Sequence, residues 1–145
     1  PPRSTLFPYT TLFRSVFVYE VIDAYGGVQN FYNDFYINSP SPLGYVKAGS
    51  NGRELNYNYY DSKALQRSVT PFMIDSIRAH IGMGIITDKA FCLGTGKNYD
   101  FLKKLNEQHR FFDQLIPLEH PRYVMQYKSK QKQFYIEKYL QALQH

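Results

Sequence analysis

The sequence has a single cysteine and no long apolar run, and both absences limit what the protein can be. With Cys92 alone among 145 residues, the chain can form no internal disulfide, no four-cysteine zinc site and no iron–sulfur cluster. We therefore expect no cysteine-bound metal centre and a reducing, cytoplasmic setting. No apolar stretch approaches the roughly 20 residues of a transmembrane helix, so we expect no membrane partner.

Acidic residues are scarce in the last part of the chain. The formal net charge is +5 and the pI about 9.2, a basic balance that suits a nucleic-acid partner without requiring one. From residue 122 onward Glu137 is the single acid, against five cations: Arg122, Lys128, Lys130, Lys132 and Lys138. The positive charge is therefore concentrated in the tail.

The first fifteen residues are predicted to have a different origin from the rest. Residues 5–15 (TLFPYTTLFRS) are similar to the translation of a short-read sequencing adapter, so we expect residues 1–15 to be non-native and 16–145 to form one domain. Removing Arg3 and Arg14 lowers the net charge from +5 to +3.

Hydrophobic patterning predicts an α/β fold. Short apolar runs at 35–37, 90–93 and 115–118 indicate strands, and helical spacing indicates helices between them. Their alternation predicts a small parallel sheet with helices on both faces, a three-layer α/β/α arrangement. We expect the helices at 16–25, 28–34, 98–108 and 129–143, with one from Asp61 or Ser62 that restarts at Pro71, and a long loop at 47–60.

His120 is the strongest candidate for chemistry. It follows the strand at 115–118, lies between Glu119 and Pro121, and is followed by a basic tail. Proline stiffens this turn, and open α/β sheets form their active sites at the carboxyl ends of strands. The alternative is a structural histidine.

Other candidates have equally ordinary alternatives. Asn38 follows the strand at 35–37, and its amide could bind the edge of a pyrimidine base or cap a turn. Gly96 and Lys97, in GTGKN at 94–98, could contact a DNA phosphate or simply form a tight turn. Lys128, Lys130 and Lys132 could contact phosphates or form a solvated face. The tyrosines at 57, 59 and 60 could stack on bases or pack a loop.

Four stretches together resemble a known family. They are FYIN at 35–38 with Pro42 and Leu43, NYNYYD at 56–61, CLGTGKN at 92–98 and PLEHPR at 117–122. From residue 16 onward the chain resembles the uracil-DNA glycosylase superfamily, and within it a bacterial branch similar to the single-strand-selective monofunctional enzymes. The resemblance implies base-excision repair of DNA, a monofunctional N-glycosylase without a cofactor, and a monomer in the bacterial cytoplasm.

The resemblance also assigns roles to residues. His120 matches the histidine that hydrogen-bonds the departing base, Asn38 the asparagine that distinguishes uracil from cytosine, and Arg122 the arginine on a loop that wedges into the base stack. The His-Pro-Ser-Pro-Arg form is shortened here to His-Pro-Arg. Nothing matches the family's first motif, Gly-x-Asn-Pro-Gly, so we expect this chain to lack the first strand and to be impaired.

Two other functions remain open from the sequence. One is a nucleic-acid-binding module of the same fold without catalysis. The other is an enzyme for small nucleotides that uses the Gly94–Asn98 turn, for which salt would have little effect on affinity.

Overall fold

A computed structural model describes the backbone of residues 9–144 and the side chains of residues 15–144. Residues 1–8, within the segment predicted to be non-native, lie outside the described residues. Within this range, the elements in chain order are α1 (Tyr9–Tyr25), α2 (Val28–Asp34), β1 (Tyr45–Ala48), β2 (Glu54–Tyr57), α3 (Lys63–Gly82), β3 (Lys89–Leu93), α4 (Lys97–His109), β4 (Gln114–Leu118), α5 (Pro121–Tyr127) and α6 (Lys132–Gln144). None of these helices is long and apolar enough to cross a membrane.

Strands β3 and β4 form a two-stranded sheet. At its start Gln114 N–H donates to Asp88 O (3.0 Å), and at its end Gly94 N–H donates to Leu118 O (2.7 Å). Both strands therefore run in the same direction, as the crossover through α4 requires. The predicted strands at 90–93 and 115–118 are confirmed.

The chain divides into two compact units, and the first is mainly helical. It comprises described residues 9–35, 92–95 and 117–144. In it α1 packs against α5 and α6, and the ring of Phe17 meets that of Tyr139 edge to face at 5.1 Å. Its buried apolar side chains are Phe17, Val21, Ile22, Phe31, Cys92, Leu118, Val124, Tyr135, Ile136 and Tyr139.

The second unit contains the hairpin of β1 and β2 together with α3 and α4, over residues 36–91 and 96–116. The hairpin pairs antiparallel, with Tyr45 opposite Tyr57. Ser62 caps α3 by accepting from Leu65 N–H (3.3 Å), so the predicted cap is confirmed. Apolar side chains buried here are Tyr59, Met73, Leu105 and Phe111.

Three local predictions were wrong, and the start of one predicted helix was misplaced. Residues 35–37 form no described strand: Phe35 ends α2 in extended geometry, and the residues after it are irregular. The predicted loop at 47–60 contains the hairpin, whose turn is closed by Gly49 N–H donating to Arg53 O (2.8 Å). Pro71 does not restart α3, which continues through it. The expected closing helix begins at Lys132, after a 3₁₀ turn over Ser129–Gln131.

Candidate active site

The carboxyl ends of β3 and β4 meet at Gly94. Gly94 is buried and has φ +146°, a conformation that residues with a Cβ rarely adopt. Its N–H donates both to Cys92 O (3.0 Å) and to Leu118 O (2.7 Å). The glycine therefore allows the end of β3 to lie beside the end of β4 at Leu118, two residues before His120.

His120 is the N-cap residue of α5. Its backbone is extended (φ −62°, ψ 133°), and its Nδ1 accepts a hydrogen bond from Arg122 N–H at 3.0 Å. A ring nitrogen that accepts from a backbone amide carries no proton, so in the neutral ring the proton is on Nε2. The half-buried imidazole is thus fixed in the tautomer that presents Nε2–H as a donor. Such a donor can stabilise an oxygen that gains negative charge.

Helix α5 was not expected from the sequence, which predicted a stiff turn. Pro121 occupies its first position, where proline loses no helical hydrogen bond and its fixed φ suits the helix. Pro121 and Val124 are buried and anchor the helix, while Arg122 is exposed. Arg122 therefore lies on the first turn of a helix, and the loop implied by the resemblance is not formed.

Helix α6 contacts the residue immediately before His120. Lys138 Nζ lies 2.5 Å from Glu119 Oε1, and Tyr139 OH donates to Glu119 O at 2.5 Å. Burial, together with the charges of Glu119 and Cys92, raises the pKa of Tyr139, so its hydroxyl keeps its proton. Sequence reasoning missed this contact, because the spacing along the chain does not show which face of α6 meets the end of β4.

The tail cations fall into two groups. Lys132 pairs with Glu20 at 2.7 Å and Lys138 with Glu119. Arg122, Lys128 and Lys130 form no ion pair with any described residue. Lys128 ends α5 and is half-buried, whereas Arg122 and Lys130 are exposed. Arg122, Lys128 and Lys130 are therefore the tail cations left for an external anion, whereas Lys132, which the sequence also offered as a phosphate contact, pairs with Glu20.

Asn38 lies in the second unit, in the irregular segment after α2. It is exposed, and the structure records no hydrogen bond from its side chain to a described residue. The next turn is held by Ser39 Oγ, which donates to Ser41 O (2.7 Å), and by Ser41 Oγ, which lies 2.7 Å from Tyr45 OH. Serines thus supply the side-chain bonds of that turn, and the capping role considered for Asn38 is not observed.

Gly96 and Lys97 also lie in the second unit, at the start of α4. Gly96 is the N-cap residue and is exposed. The Lys97 side chain is 74% exposed and lies 3.9 Å from Asp61. The next residue, Asn98, accepts a hydrogen bond from Tyr59 OH, which packs the tyrosine against the turn. Of the candidate residues, His120, Arg122, Lys128 and Lys130 share the first unit, while Asn38, Gly96 and Lys97 share the second.

Comparison with known proteins identifies the family. The model of the uracil DNA glycosylase superfamily matches residues 5–144. The chain therefore belongs to the uracil DNA glycosylase superfamily.

A solved structure is also similar, that of wild-type SMUG2 from Pedobacter heparinus, with 55% sequence identity and a TM-score of 0.87. The match covers 91% of this chain and 56% of that one, so the chain spans about half the length of its structural relative. It confirms the predicted α/β fold. No match was found among curated proteins.

Proposed function

We propose that the protein is a DNA glycosylase that hydrolyses the N-glycosidic bond of uracil, or of a related damaged pyrimidine, in DNA. The main observation is the tautomer of His120, set by the hydrogen bond from Arg122 N–H to Nδ1 (3.0 Å). Membership of the superfamily and 55% identity to a SMUG2 support the proposal.

The reaction needs a hydrogen-bond donor to the departing base, and Nε2–H of His120 is the proposed donor. When the bond between deoxyribose C1′ and base N1 breaks, its electron pair moves onto the base and negative charge grows on a carbonyl oxygen. Nε2–H hydrogen-bonds that oxygen while water attacks C1′, and the proton that the water releases is balanced by protonation of the departing base anion through solvent. The products are the free base and an abasic site. A preorganised donor of this kind is worth on the order of 10²–10³ in rate.

Asn38 is the proposed base-reading residue. Its amide supplies one acceptor and two donors, which complement the N3–H and the carbonyl of uracil. The side chain is exposed and makes no recorded hydrogen bond within the described chain, so binding a base there breaks no recorded protein contact.

The proposed DNA contacts are electrostatic. Arg122, Lys128 and Lys130 lie on or beside α5, and Gly96 and Lys97 at the start of α4 contribute an exposed amide and an ammonium. Contacts of this type hold the phosphate backbone without reading sequence. We propose that the protein acts as a monomer and as a monofunctional enzyme.

Full activity is proposed to need sequence upstream of residue 16. No Gly-x-Asn-Pro-Gly core occurs in the 145 residues, and the chain spans 56% of its structural relative. We propose that a protein carrying the native upstream sequence in place of residues 1–15 is active, and that the 145-residue chain excises more slowly.

The deciding experiment is excision from a uracil-containing single-stranded oligonucleotide, scored by alkaline strand scission. The upstream-extended protein is measured beside the 145-residue chain and two variants, His120→Ala and His120→Asn. Asparagine is as good an N-cap as any residue, so His120→Asn keeps the cap of α5 and removes the imidazole.

We expect both variants to lose on the order of 10²–10³ in rate while retaining DNA affinity. A folded extended protein that binds DNA without excising uracil or other damaged pyrimidines would indicate the alternative, a non-catalytic binding module of the same fold. Full activity in His120→Asn would remove the histidine from the mechanism.

A further inference from the structure

Helix α6 holds the residue before His120 at two points. Tyr139 OH donates to the backbone carbonyl of Glu119, and Lys138 Nζ contacts its carboxylate, each at 2.5 Å. These adjacent residues of one helix thus bind the main chain and the side chain of the same residue.

The hydrogen bond from Tyr139 acts on the peptide that enters His120. The Glu119 carbonyl and the His120 N–H belong to one planar peptide group, so fixing the carbonyl oxygen fixes that plane. On the other side, the Pro121 ring fixes the next φ and Arg122 N–H holds the imidazole at Nδ1. The orientation of His120 is therefore constrained by the peptide group before it, by the proline after it and by the hydrogen bond to its ring.

The Tyr139 anchor is rigid. Its side chain is 4% exposed, and its ring packs edge to face on Phe17. In such an environment the hydroxyl has few orientations open to it, so its hydrogen bond transmits the position of α6 to the end of β4.

Fold stability alone does not explain the burial of the Glu119 carboxylate. Its side chain is 19% exposed, and its Oε2 is buried without a hydrogen-bond partner in the described chain. An unsatisfied buried oxygen destabilises a fold, and such groups call for an explanation other than packing.

We propose that Tyr139 and Lys138 are positioning residues that set the geometry of His120 through Glu119. The inference rests on the proposed function, in which His120 hydrogen-bonds the departing base. Neither residue is assigned any contact with the substrate.

The test uses Tyr139→Phe in the upstream-extended protein, with Tyr135→Phe as the matched control. Tyr135 lies on the same helix and is also buried, and no hydrogen bond of its hydroxyl is recorded within the described chain. Because misplacing a catalytic group by about 1 Å can cost 10²-fold, we expect Tyr139→Phe to lower kcat by roughly tenfold with little change in KM. Tyr135→Phe should leave both unchanged.

A second measurement does not depend on activity. In ¹⁵N-histidine-labelled protein, the ring nitrogens of His120 report its tautomer, and His80 and His109 serve as internal references. We expect Tyr139→Phe to shift the His120 signals alone, and Tyr135→Phe to shift none. Lys138→Gln should act in the same direction, and Lys138→Arg should restore the wild-type spectrum and rate, because arginine keeps the charge.

The outcomes separate the two ideas. Equal spectra and equal kcat in Tyr139→Phe and Tyr135→Phe would overturn the positioning role. A selective His120 shift in a protein with no excision activity, wild type included, would overturn the proposed function and leave the coupling between α6 and His120 intact. A fall in kcat with unchanged His120 signals would also count against positioning.

Discussion

Gly26 ends α1 in a conformation open to few other residues. Its φ is +123°, and its N–H bonds to Asp23 O while Gly27 N–H bonds to Ile22 O, the Schellman arrangement. A Cβ at this position would lie 2.8 Å from Asn30 Nδ2. We expect Gly26→Ala to lower the free energy of unfolding by about 1–2 kcal/mol, measured by urea titration.

The control for that substitution is Gly44→Ala. Gly44 has no positive φ, and nothing lies within 4 Å of its would-be Cβ. Its substitution should change stability by less than about 0.5 kcal/mol. Equal losses in the free energy of unfolding at both glycines would show that backbone strain at Gly26 does not cause the loss.

Ionisation of the Cys92 thiol makes the free energy of unfolding depend on pH in the alkaline range. Burial raises the pKa of its thiol from an ordinary 9.0 to about 11. Above pH 9 the unfolded state releases a proton that the folded state keeps, so this contribution to stability is complete below pH 9 and is lost as the pH rises through 11. We expect wild type to lose more stability than Cys92→Ala between pH 8 and pH 10.5.

Urea titrations at the two pH values measure this difference. The cavity left by alanine lowers stability at both values alike and cancels in the comparison. Tyr139 is present in both proteins, and burial, the largest cause of its raised pKa, is common to both, so most of its contribution cancels. Parallel losses in the two proteins would mean that the thiol does not titrate as its burial implies.

At the scale of elements, two prolines occupy opposite positions in helices. Pro71 lies in the interior of α3, and Pro121 is the first residue of α5. An interior proline removes a helical hydrogen bond at a cost of about 3 kcal/mol, whereas a first-turn proline removes none. Pro71→Ala should therefore raise Tm, and Pro121→Ala should lower it, since Pro121 is also buried.

Thermal unfolding of the two variants checks the sign of each effect. The prediction at Pro71 concerns a helix that continues despite its proline because tertiary contacts, such as that of the fully buried Met73, support it. A drop in Tm for Pro71→Ala would mean that the helix depends on the local geometry that proline imposes.

Sequence patterns located the elements that follow local rules. The two strands of the parallel sheet are short apolar runs ended by Gly94 and by His120-Pro121, and Ser62 is a typical N-cap. The segment at 35–37 has the composition of a strand, but a strand needs a hydrogen-bonded neighbour, and composition does not supply one. The helix begun at Pro121 was missed because histidine is an uncommon N-cap.

The candidate site was predictable in its residues and not in its contacts. His120 was singled out by its position after a strand, yet the hydrogen bond that selects its tautomer depends on α5 forming. Tyr139 and Lys138 lie about twenty residues further along the chain, and their contact with Glu119 depends on tertiary packing that periodicity does not encode.

At the scale of the whole molecule, ion pairs within the described chain decide how much of the tail's positive charge is available to DNA. Of the five tail cations, Lys132 and Lys138 are paired with Glu20 and Glu119. The other three, Arg122, Lys128 and Lys130, form no ion pair with any residue that the structure describes. Because a neutralised phosphate of single-stranded DNA contributes about −0.7 to the slope of log K against log salt, each of these three should contribute roughly that amount.

We therefore expect Lys128→Gln and Lys130→Gln each to flatten the slope of log K against log salt by about 0.7. The slope is measured by fluorescence anisotropy with a labelled single strand between about 50 and 200 mM salt, a range over which such binding weakens strongly. Lys132→Gln removes the same formal charge but one already held by Glu20 at 2.7 Å, so its slope should stay near that of wild type while its stability falls modestly. If all three substitutions flatten the slope equally, net charge alone governs DNA binding, and the ion pairs do not decide which cations the DNA uses.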